Sequence, residues 1–152
     1  FEPHPESFKL LEKNRKKSFC FNIALSNENL EEAPFIQVDG YAEEISCLVR
    51  DTPQEHLDRI DYDLRGGKKA IILVKTKRFS DVIKVRNIDY ISIDAETQEF
   101  NILQGIDFRF HNIKLISFEK NNYDKNDCGE FLESKGFKFI TKIAADHFYA
   151  KE

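Results

Sequence analysis

The chain has 152 residues, of which 41% are hydrophobic and 14 are Phe, enough for one domain with a single packed core. Its net charge of −4 is scattered along the chain, so no sustained basic face predicts nucleic-acid binding. No apolar run approaches the roughly 20 residues that span a membrane. The three cysteines, Cys20, Cys47 and Cys128, have no CxxC spacing, which fits a reduced, cytoplasmic protein.

The chain contains no methionine and begins with Phe1. A translated reading frame begins with methionine, so we expect either that the original start was removed by processing or that these residues come from a longer protein. The motifs below favour the longer protein.

The first third of the chain predicts a helix followed by short strands. A proline suits the first turn of a helix and basic residues suit the last, which predicts a helix over 4–15. The apolar run FCFNIAL predicts a strand over 19–25. Two β-like runs, 34–39 and 41–49, flank an Asp-Gly dipeptide that is typical of hairpin turns. We interpret this hairpin as an insertion or an edge element.

The rest of the chain alternates between strands and helices. Residues 51–69 are polar and predict an exposed loop with one short helix. Hydrophobic periodicity then predicts a strand over 70–76, a helix over 78–85, a strand over 88–94, a helix over 97–104, a strand over 113–119, a helix over 127–135 and two closing strands over 137–143 and 147–152. This alternation indicates an α/β fold with a mainly parallel sheet covered on both faces and an antiparallel closing pair.

Acidic and amide side chains lie at the carboxyl ends of two predicted strands. Asp94 and Glu96 end one strand, and Glu119 and Asn121 end the next. Ligands of open α/β sheets bind beyond the carboxyl ends of the strands, so these side chains indicate contacts to a cofactor, a substrate or a transferred proton. Their oxygens could hold Mg²⁺ or bind substrate hydroxyls. We favour the hydroxyls and expect no metal.

Five segments occur in the order expected of one enzyme family. They are FEPHPESFKLLEKN, NIALSNEN, YISIDAETQEFNILQGIDF, IKLISFEKN and ADHFYAK, and they extend over nearly the whole chain. In this order and spacing, the chain resembles the FkbM family of S-adenosylmethionine-dependent methyltransferases. The resemblance implies S-adenosylmethionine as the cofactor. It also implies a Rossmann-like class I methyltransferase sheet, mostly parallel, with an antiparallel C-terminal strand pair and an inserted β-hairpin.

The resemblance also assigns contacts to the cofactor. Glu2 would accept hydrogen bonds from the two hydroxyls of the adenosyl ribose. Ala24, Leu25 and Ser26 would lie against the adenine, and Asp94 would lie on the cofactor side of the site. Two plainer interpretations stay open. Glu2 could be an ordinary carboxylate at a helix N terminus, and Ser26 could bond its own backbone.

Candidate residues for catalysis and for the substrate follow from the same resemblance. Asp94 and Glu96 are candidates for the base that takes the proton of the acceptor, and His147 is a further candidate base near neutral pH. Glu119 and Asn121 would bind the substrate. The plainer interpretation of His147 is an edge-strand histidine that faces solvent.

The turn after the strand 88–94 departs from the family pattern at one position. That pattern is similar to DxEGxE, and the chain matches it with Asp94, Glu96 and Glu99 but has Thr97 where glycine is expected. A β-branched residue at a tight turn is expected to reshape the mouth of the site while the acids remain. Alternatively, Asp94 or Thr97 only caps the following helix.

An adenosyl cofactor needs a glycine-rich turn after the first strand, about 20 residues before the ribose acid. No such turn occurs in the chain, and Gly66-Gly67 follows a polar loop. We therefore expect a partial methyltransferase domain over 1–152 that lacks the first strand and the glycine-rich loop and binds the cofactor weakly by itself. The predicted activity is O-methylation of a small molecule or a sugar hydroxyl. The alternatives are a Rossmann-type nucleotide-binding module and an oligomerisation domain.

Overall fold

The computed structural model describes residues 1–121 and 127–151. Its elements, in chain order, are α1 (Pro5–Asn14), β1 (Ala24–Leu25), β2 (Leu30–Asp39), a 3₁₀ turn (Glu43–Ile45), β3 (Cys47–Leu48), α2 (Gln54–Asp63), β4 (Lys68–Lys77), α3 (Phe79–Val82), β5 (Asn87–Ile93), α4 (Glu99–Gln104), β6 (Asn112–Glu119), α5 (Cys128–Ser134), β7 (Lys138–Ile143) and β8 (Asp146–Ala150). The predicted order of helices and strands is confirmed. The final residue of the predicted closing strand lies outside the described residues.

Local chemistry explains where two of the helices begin. The Nδ1 atom of His4 accepts a hydrogen bond from the Ser7 backbone N–H, and Pro5 occupies the first position of α1. The carboxylate of Asp127 likewise accepts the Glu130 N–H at 3.0 Å and caps α5. Both N termini are therefore fixed by side chains, one of them a histidine that usual capping preferences do not predict.

The strands form two four-stranded sheets, with the orders β1-β4-β2-β3 and β5-β6-β8-β7. Only β1–β4 and β5–β6 are parallel pairs among the described strands, and the other four pairs are antiparallel. The expected mostly parallel sheet is therefore not confirmed, because both sheets are mixed. The antiparallel closing pair, β7 with β8, is confirmed.

The apolar run in β4 explains part of this difference. A continuous apolar strand is typical of a parallel sheet that is covered on both faces. In the structure Ile71 is 70% exposed and Leu73 is 59% exposed, whereas Val74 and Thr76 are buried. One face of β4 is thus covered and the other is open, which is the usual state of an antiparallel sheet.

Two predicted strands of the first sheet are shorter than expected. The strand predicted over 19–25 is reduced to β1, and Phe19 is 94% exposed. The run predicted over 41–49 pairs with β2 only through Cys47 and Leu48, because the connection contains the 3₁₀ turn. The two-residue hairpin turn is therefore wrong, although β3 is an edge strand as expected. The longer partner of β2 is β4.

The second sheet contains the larger hydrophobic core. Strand β6 contributes Ile113, Ile116 and Phe118, each at most 1% exposed, and α4 and α5 cover them with Leu103 and Leu132. Of the described strands, only β6 pairs with β5, so β5 is an edge strand. No helix in the described ranges is long and apolar enough to cross a membrane.

Candidate active site

A cavity of about 1130 Å³ lies between the two sheets and follows β5 to its carboxyl end. This volume is ample for a small molecule. Six residues predicted for the site line the cavity: Glu2, Ala24, Leu25, Asp94, Glu96 and Glu119. The fold therefore brings the predicted cofactor side and the predicted acceptor side to one space.

Parallel pairing of β5 and β6 assembles an acidic cluster at one end of this cavity. Ile93 pairs with Phe118, so Asp94 and Glu119 follow at the same edge of the sheet. The carboxylates of Asp94, Glu96 and Glu119 each place an oxygen within 4.8 Å of the others. This spacing could accommodate a cation, but acidic groups commonly adopt it without one, so the spacing does not assign a metal.

The backbone after β5 makes a tight left-handed turn. Glu96 has a φ of 46° and Thr97 has a φ of 79°, and neither is glycine. This region is costly for residues with a Cβ and most costly for β-branched ones. The glycine of the family pattern would occupy the position of Thr97 without that cost. The turn thus adopts a left-handed backbone against the preference of its residues, and such strain is typical of functional sites.

Among the acids of the site, Glu96 has the carboxyl whose pKa is shifted most strongly. Its side chain is 13% exposed, and burial raises the pKa of its carboxyl from 4.5 to about 7. The guanidinium of Arg59 opposes this rise, while the carboxylates of Glu119, Asp94 and Glu44 add to it. Glu96 therefore exchanges a proton near neutral pH, which is the requirement for a general base.

Asp94 is more exposed but is affected in the same direction. Partial burial raises the pKa of its carboxyl, and the negative charges of Glu119, Asp146 and Glu44 raise it further. Like charges that share one cavity do not ionise independently. A hydrogen-bond donor such as a hydroxyl, or a cation such as an ammonium, would therefore reduce the repulsion between the carboxylates of the acidic cluster.

Glu2 lines the same cavity, near the start of the chain. Its Oε1 accepts the backbone N–H of His4 at 2.7 Å, immediately before α1. Its backbone N–H donates to the carbonyl of Phe21 at 3.0 Å, which holds this segment extended beside the region that leads into β1. The contact to His4 agrees with the plainer interpretation of a carboxylate at a helix N terminus. The position in the cavity agrees with the ribose assignment, and the two are compatible.

Of the three residues predicted beside the adenine, two line the cavity and one does not. Ala24 and Leu25 form β1 and line the cavity. Ser26 is 4% exposed, does not line the cavity, and places its Oγ 3.4 Å from Oδ1 of Asn27. Ala24 and Leu25 can therefore contact a ligand in the cavity, whereas the Ser26 hydroxyl cannot in this conformation.

Asn121 and His147 do not line the cavity. Asn121 donates from its Nδ2 to Oε2 of Glu119 at 3.1 Å, so it orients an acid of the cluster. His147 packs its ring against Phe118 and Phe139, with 5.8 Å between ring centroids in each case. Strand β8 lies between β6 and β7, so the interpretation of His147 as an edge-strand residue is wrong.

The third acid of the turn has a structural role. Glu99 is 2% exposed, and its Oε1 accepts the backbone N–H of Ala95 at 2.8 Å. Helix α4 begins after Gln98 without a side-chain hydrogen bond at its cap. The alternative in which Asp94 or Thr97 caps the helix is therefore wrong, and Glu99 closes the turn instead.

Two site residues were missed by the sequence prediction. Arg59 lines the cavity, with its Nη1 3.4 Å from Oε2 of Glu96, and His56 is fully buried with its Nδ1 3.6 Å from the same oxygen. Both belong to α2, which extends the short helix predicted within the polar segment 51–69. The available signal was their spacing of three residues, which places two nitrogen-bearing side chains on one helix face.

These features define an α/β domain with acidic residues at the carboxyl ends of parallel strands and a ligand-sized cavity beside them. Residues 1–139 match the family described as the Methyltransferase FkbM domain, and the chain belongs to this family. The resemblance found in the sequence is therefore confirmed, and the chain is a methyltransferase domain in this general sense. Comparisons with curated proteins and with solved structures gave no match.

Proposed function

We propose that the chain forms part of an S-adenosylmethionine-dependent methyltransferase that methylates a hydroxyl of a small molecule or a sugar. One observation carries this proposal. Residues expected on the cofactor side (Glu2, Ala24 and Leu25) and acids expected on the acceptor side (Asp94, Glu96 and Glu119) line the same cavity. Family membership supports methyl transfer as the reaction, and the cavity is a space in which the methyl donor and the acceptor can meet.

The cofactor side suits an adenosyl group. The adenosyl ribose presents two neighbouring hydroxyl donors, and the carboxylate of Glu2 is an acceptor with two oxygens. Ala24 and Leu25 offer an apolar wall to the adenine. The sulfonium of the cofactor is a cation, and the carboxylate of Asp94 would attract it toward the acidic end of the cavity. Charge and shape thus favour the same orientation of the cofactor.

The acceptor side suits a hydroxyl. An alcohol must lose its proton as its oxygen takes the methyl group, so a base beside the oxygen lowers the barrier. Glu96 is assigned this role because its pKa of about 7 lets it accept a proton near neutral pH. Glu119, oriented by Asn121, would bind a further hydroxyl of the acceptor. His147 was the other candidate base, but its ring lies outside the cavity.

The glycine-rich turn remains part of the proposal. We propose that sequence outside these 152 residues supplies the turn and the strand that carries it. Among the described strands, β5 is at the edge of its sheet, and it lines the cavity. Its free edge supports this proposal because a further strand could pair there. A strand paired there would place its own carboxyl end, and a turn after it, beside Asp94.

The experiment is a methyl-transfer assay on the polypeptide translated from the complete gene. The polypeptide is incubated with S-adenosylmethionine and a panel of sugars and small alcohols, and S-adenosylhomocysteine is measured. We expect turnover with at least one hydroxyl compound and a loss of about 100-fold in Glu96→Gln. The matched control, Glu55→Gln, changes an exposed acid on α2 and should retain full turnover. Cofactor binding without any turnover would favour the nucleotide-binding module instead.

A further inference from the structure

Helix α2 presents two functional groups to the acidic cluster from one of its faces. His56 and Arg59 are three residues apart, so their side chains lie on neighbouring positions of the helix surface. His56 is fully buried, and its Nε2 lies 3.1 Å from the carbonyl oxygen of Ile45 in the 3₁₀ turn. This contact joins α2 to the 3₁₀ turn three residues before Arg59.

Arg59 reaches the carboxyl that is proposed as the base. Its Nη1 lies 3.4 Å from Oε2 of Glu96, and its Nε lies 3.8 Å from Asp63 one turn later on α2. Among the described residues that line the cavity, Arg59 is the one Lys or Arg, while six are acidic: Glu2, Glu43, Glu44, Asp94, Glu96 and Glu119. The guanidinium of Arg59 therefore offsets negative charge at one acid of the cluster, Glu96.

The backbone and the side chain of Glu96 are held by different elements. The left-handed turn is closed by Glu99 on Ala95 and by Gln98, whose Nε2 donates to the carbonyl of Arg50 at 2.8 Å. These contacts fix the peptide of Glu96 and leave the direction of its carboxyl to other groups. The Oε2 atom of that carboxyl contacts Arg59 and His56 of α2, and Arg59 lies 37 residues earlier in the chain.

We propose that Arg59 is a positioning residue that directs the Glu96 carboxyl into the cavity, and that His56 anchors α2 so that Arg59 can do so. The role in catalysis rests on the proposed function, since it assumes that Glu96 takes a proton from the acceptor. The contact itself is independent of that function. Its strength is measurable in the protein without any ligand.

The first test follows the carboxyl carbon of Glu96 by NMR during a pH titration of the chain. The groups that face Glu96 are Asp94, Glu119, Glu44, His56 and Arg59. In Arg59→Gln we expect the titration midpoint to rise by about one pH unit, because a cation within hydrogen-bond reach is removed. Arg59→Lys should restore most of the midpoint.

The matched control is Arg109→Gln, since Arg109 is 95% exposed and pairs with Asp107 away from the cavity. An unchanged midpoint in Arg59→Gln, or an equal rise in Arg109→Gln, overturns the positioning role. A general loss of fold would alter all resonances and the unfolding temperature, whereas a positioning role moves the midpoints of Glu96 and of the groups coupled to it and leaves distant resonances in place.

The second test separates this inference from the proposed function. The pH profile of methyl transfer by the complete translated polypeptide is compared between the native residue and Arg59→Gln. We expect kcat/KM to fall about 10-fold and its rising limb to move to higher pH. An unchanged profile overturns the catalytic part of the inference. Absence of transfer by the native protein overturns the proposed function, while the ligand-free titration still decides the contact.

Discussion

Gly105 lies directly against the backbone of Ser26, so the C terminus of α4 touches the residue that follows β1. A Cβ atom at position 105 would collide with the carbonyl oxygen of Ser26. The φ of Gly105 is −76°, which any residue adopts, so the glycine is required by close approach and not by backbone conformation. This contact connects the β1 side of the cavity to the helix that follows the acidic turn.

We therefore predict that Gly105→Ala lowers the free energy of unfolding by about 2 kcal/mol, because backbone must move to admit the methyl group. Urea denaturation followed by circular dichroism measures the change. Gln104→Ala is the control, since residue 104 is exposed on the same turn of α4. A Gly105→Ala variant as stable as the native chain would contradict the close approach.

Thr97→Gly should stabilise the protein. Thr97 has a φ of 79°, and relief of this left-handed strain outweighs the entropy that glycine adds to the unfolded chain, for a net gain of about 1 kcal/mol. Thermal and urea unfolding measure the gain. Thr141→Gly, in exposed strand β7, should instead destabilise. A loss of stability in Thr97→Gly would mean that the turn does not adopt the observed backbone.

The raised pKa of Glu96 predicts a pH dependence of stability with a definite sign. Glu96 binds its proton more tightly in the folded state, with a pKa of about 7 against 4.5 in the unfolded chain. The free energy of unfolding therefore falls as pH rises from 4.5 through about 7, because the folded state holds the Glu96 proton more tightly. The fall due to Glu96 is complete above that range. Its full size is about 3 kcal/mol.

Glu96→Gln removes this contribution. The variant should gain stability relative to the native chain as pH rises through that window, and the two should converge at low pH. His56, whose pKa is lowered by burial, titrates in both proteins, so the difference reports Glu96 together with its coupling to His56 and to the neighbouring acids. Urea midpoints measured across pH give the result. A difference that stays constant with pH would show that Glu96 is ionised throughout.

The cysteines should differ in reactivity. Cys47 is 1% exposed, and burial raises the pKa of its thiol to about 11, so it holds almost no thiolate near neutral pH. Cys128 is also buried, whereas Cys20 is partly exposed. Iodoacetamide at about pH 8 should therefore label Cys20 first, as mass spectrometry would show. Faster labelling of Cys47 would contradict the packing of the 3₁₀ turn and β3.

Local patterns were sufficient to predict much of this structure. The order of helices and strands follows from hydrophobic periodicity, and the meeting of Asp94 with Glu119 follows from parallel pairing of consecutive strands. The C-terminal strand pair also depends on residues that are close in sequence. These features needed no knowledge of distant contacts.

Features that depend on distant contacts were missed. The apolar run of β4 could not reveal that its partner, β2, runs antiparallel and leaves Ile71 exposed. The role of α2 depends on the contact between Arg59 and Glu96, and a polar segment gives no sign of such a partner. Similarly, nothing near Ser26 indicates that its carbonyl oxygen lies against Gly105.

The most direct test of the account is a calorimetric titration of the complete translated polypeptide with S-adenosylmethionine, with Glu2→Gln and Glu6→Gln as paired variants. Glu2 lines the cavity, whereas Glu6 is exposed in the first turn of α1. We expect binding that Glu2→Gln weakens about 10-fold to 100-fold, through loss of charge-assisted hydrogen bonds to the ribose, and that Glu6→Gln leaves unchanged. Absence of binding, or equal affinity in the native protein and Glu2→Gln, would contradict it.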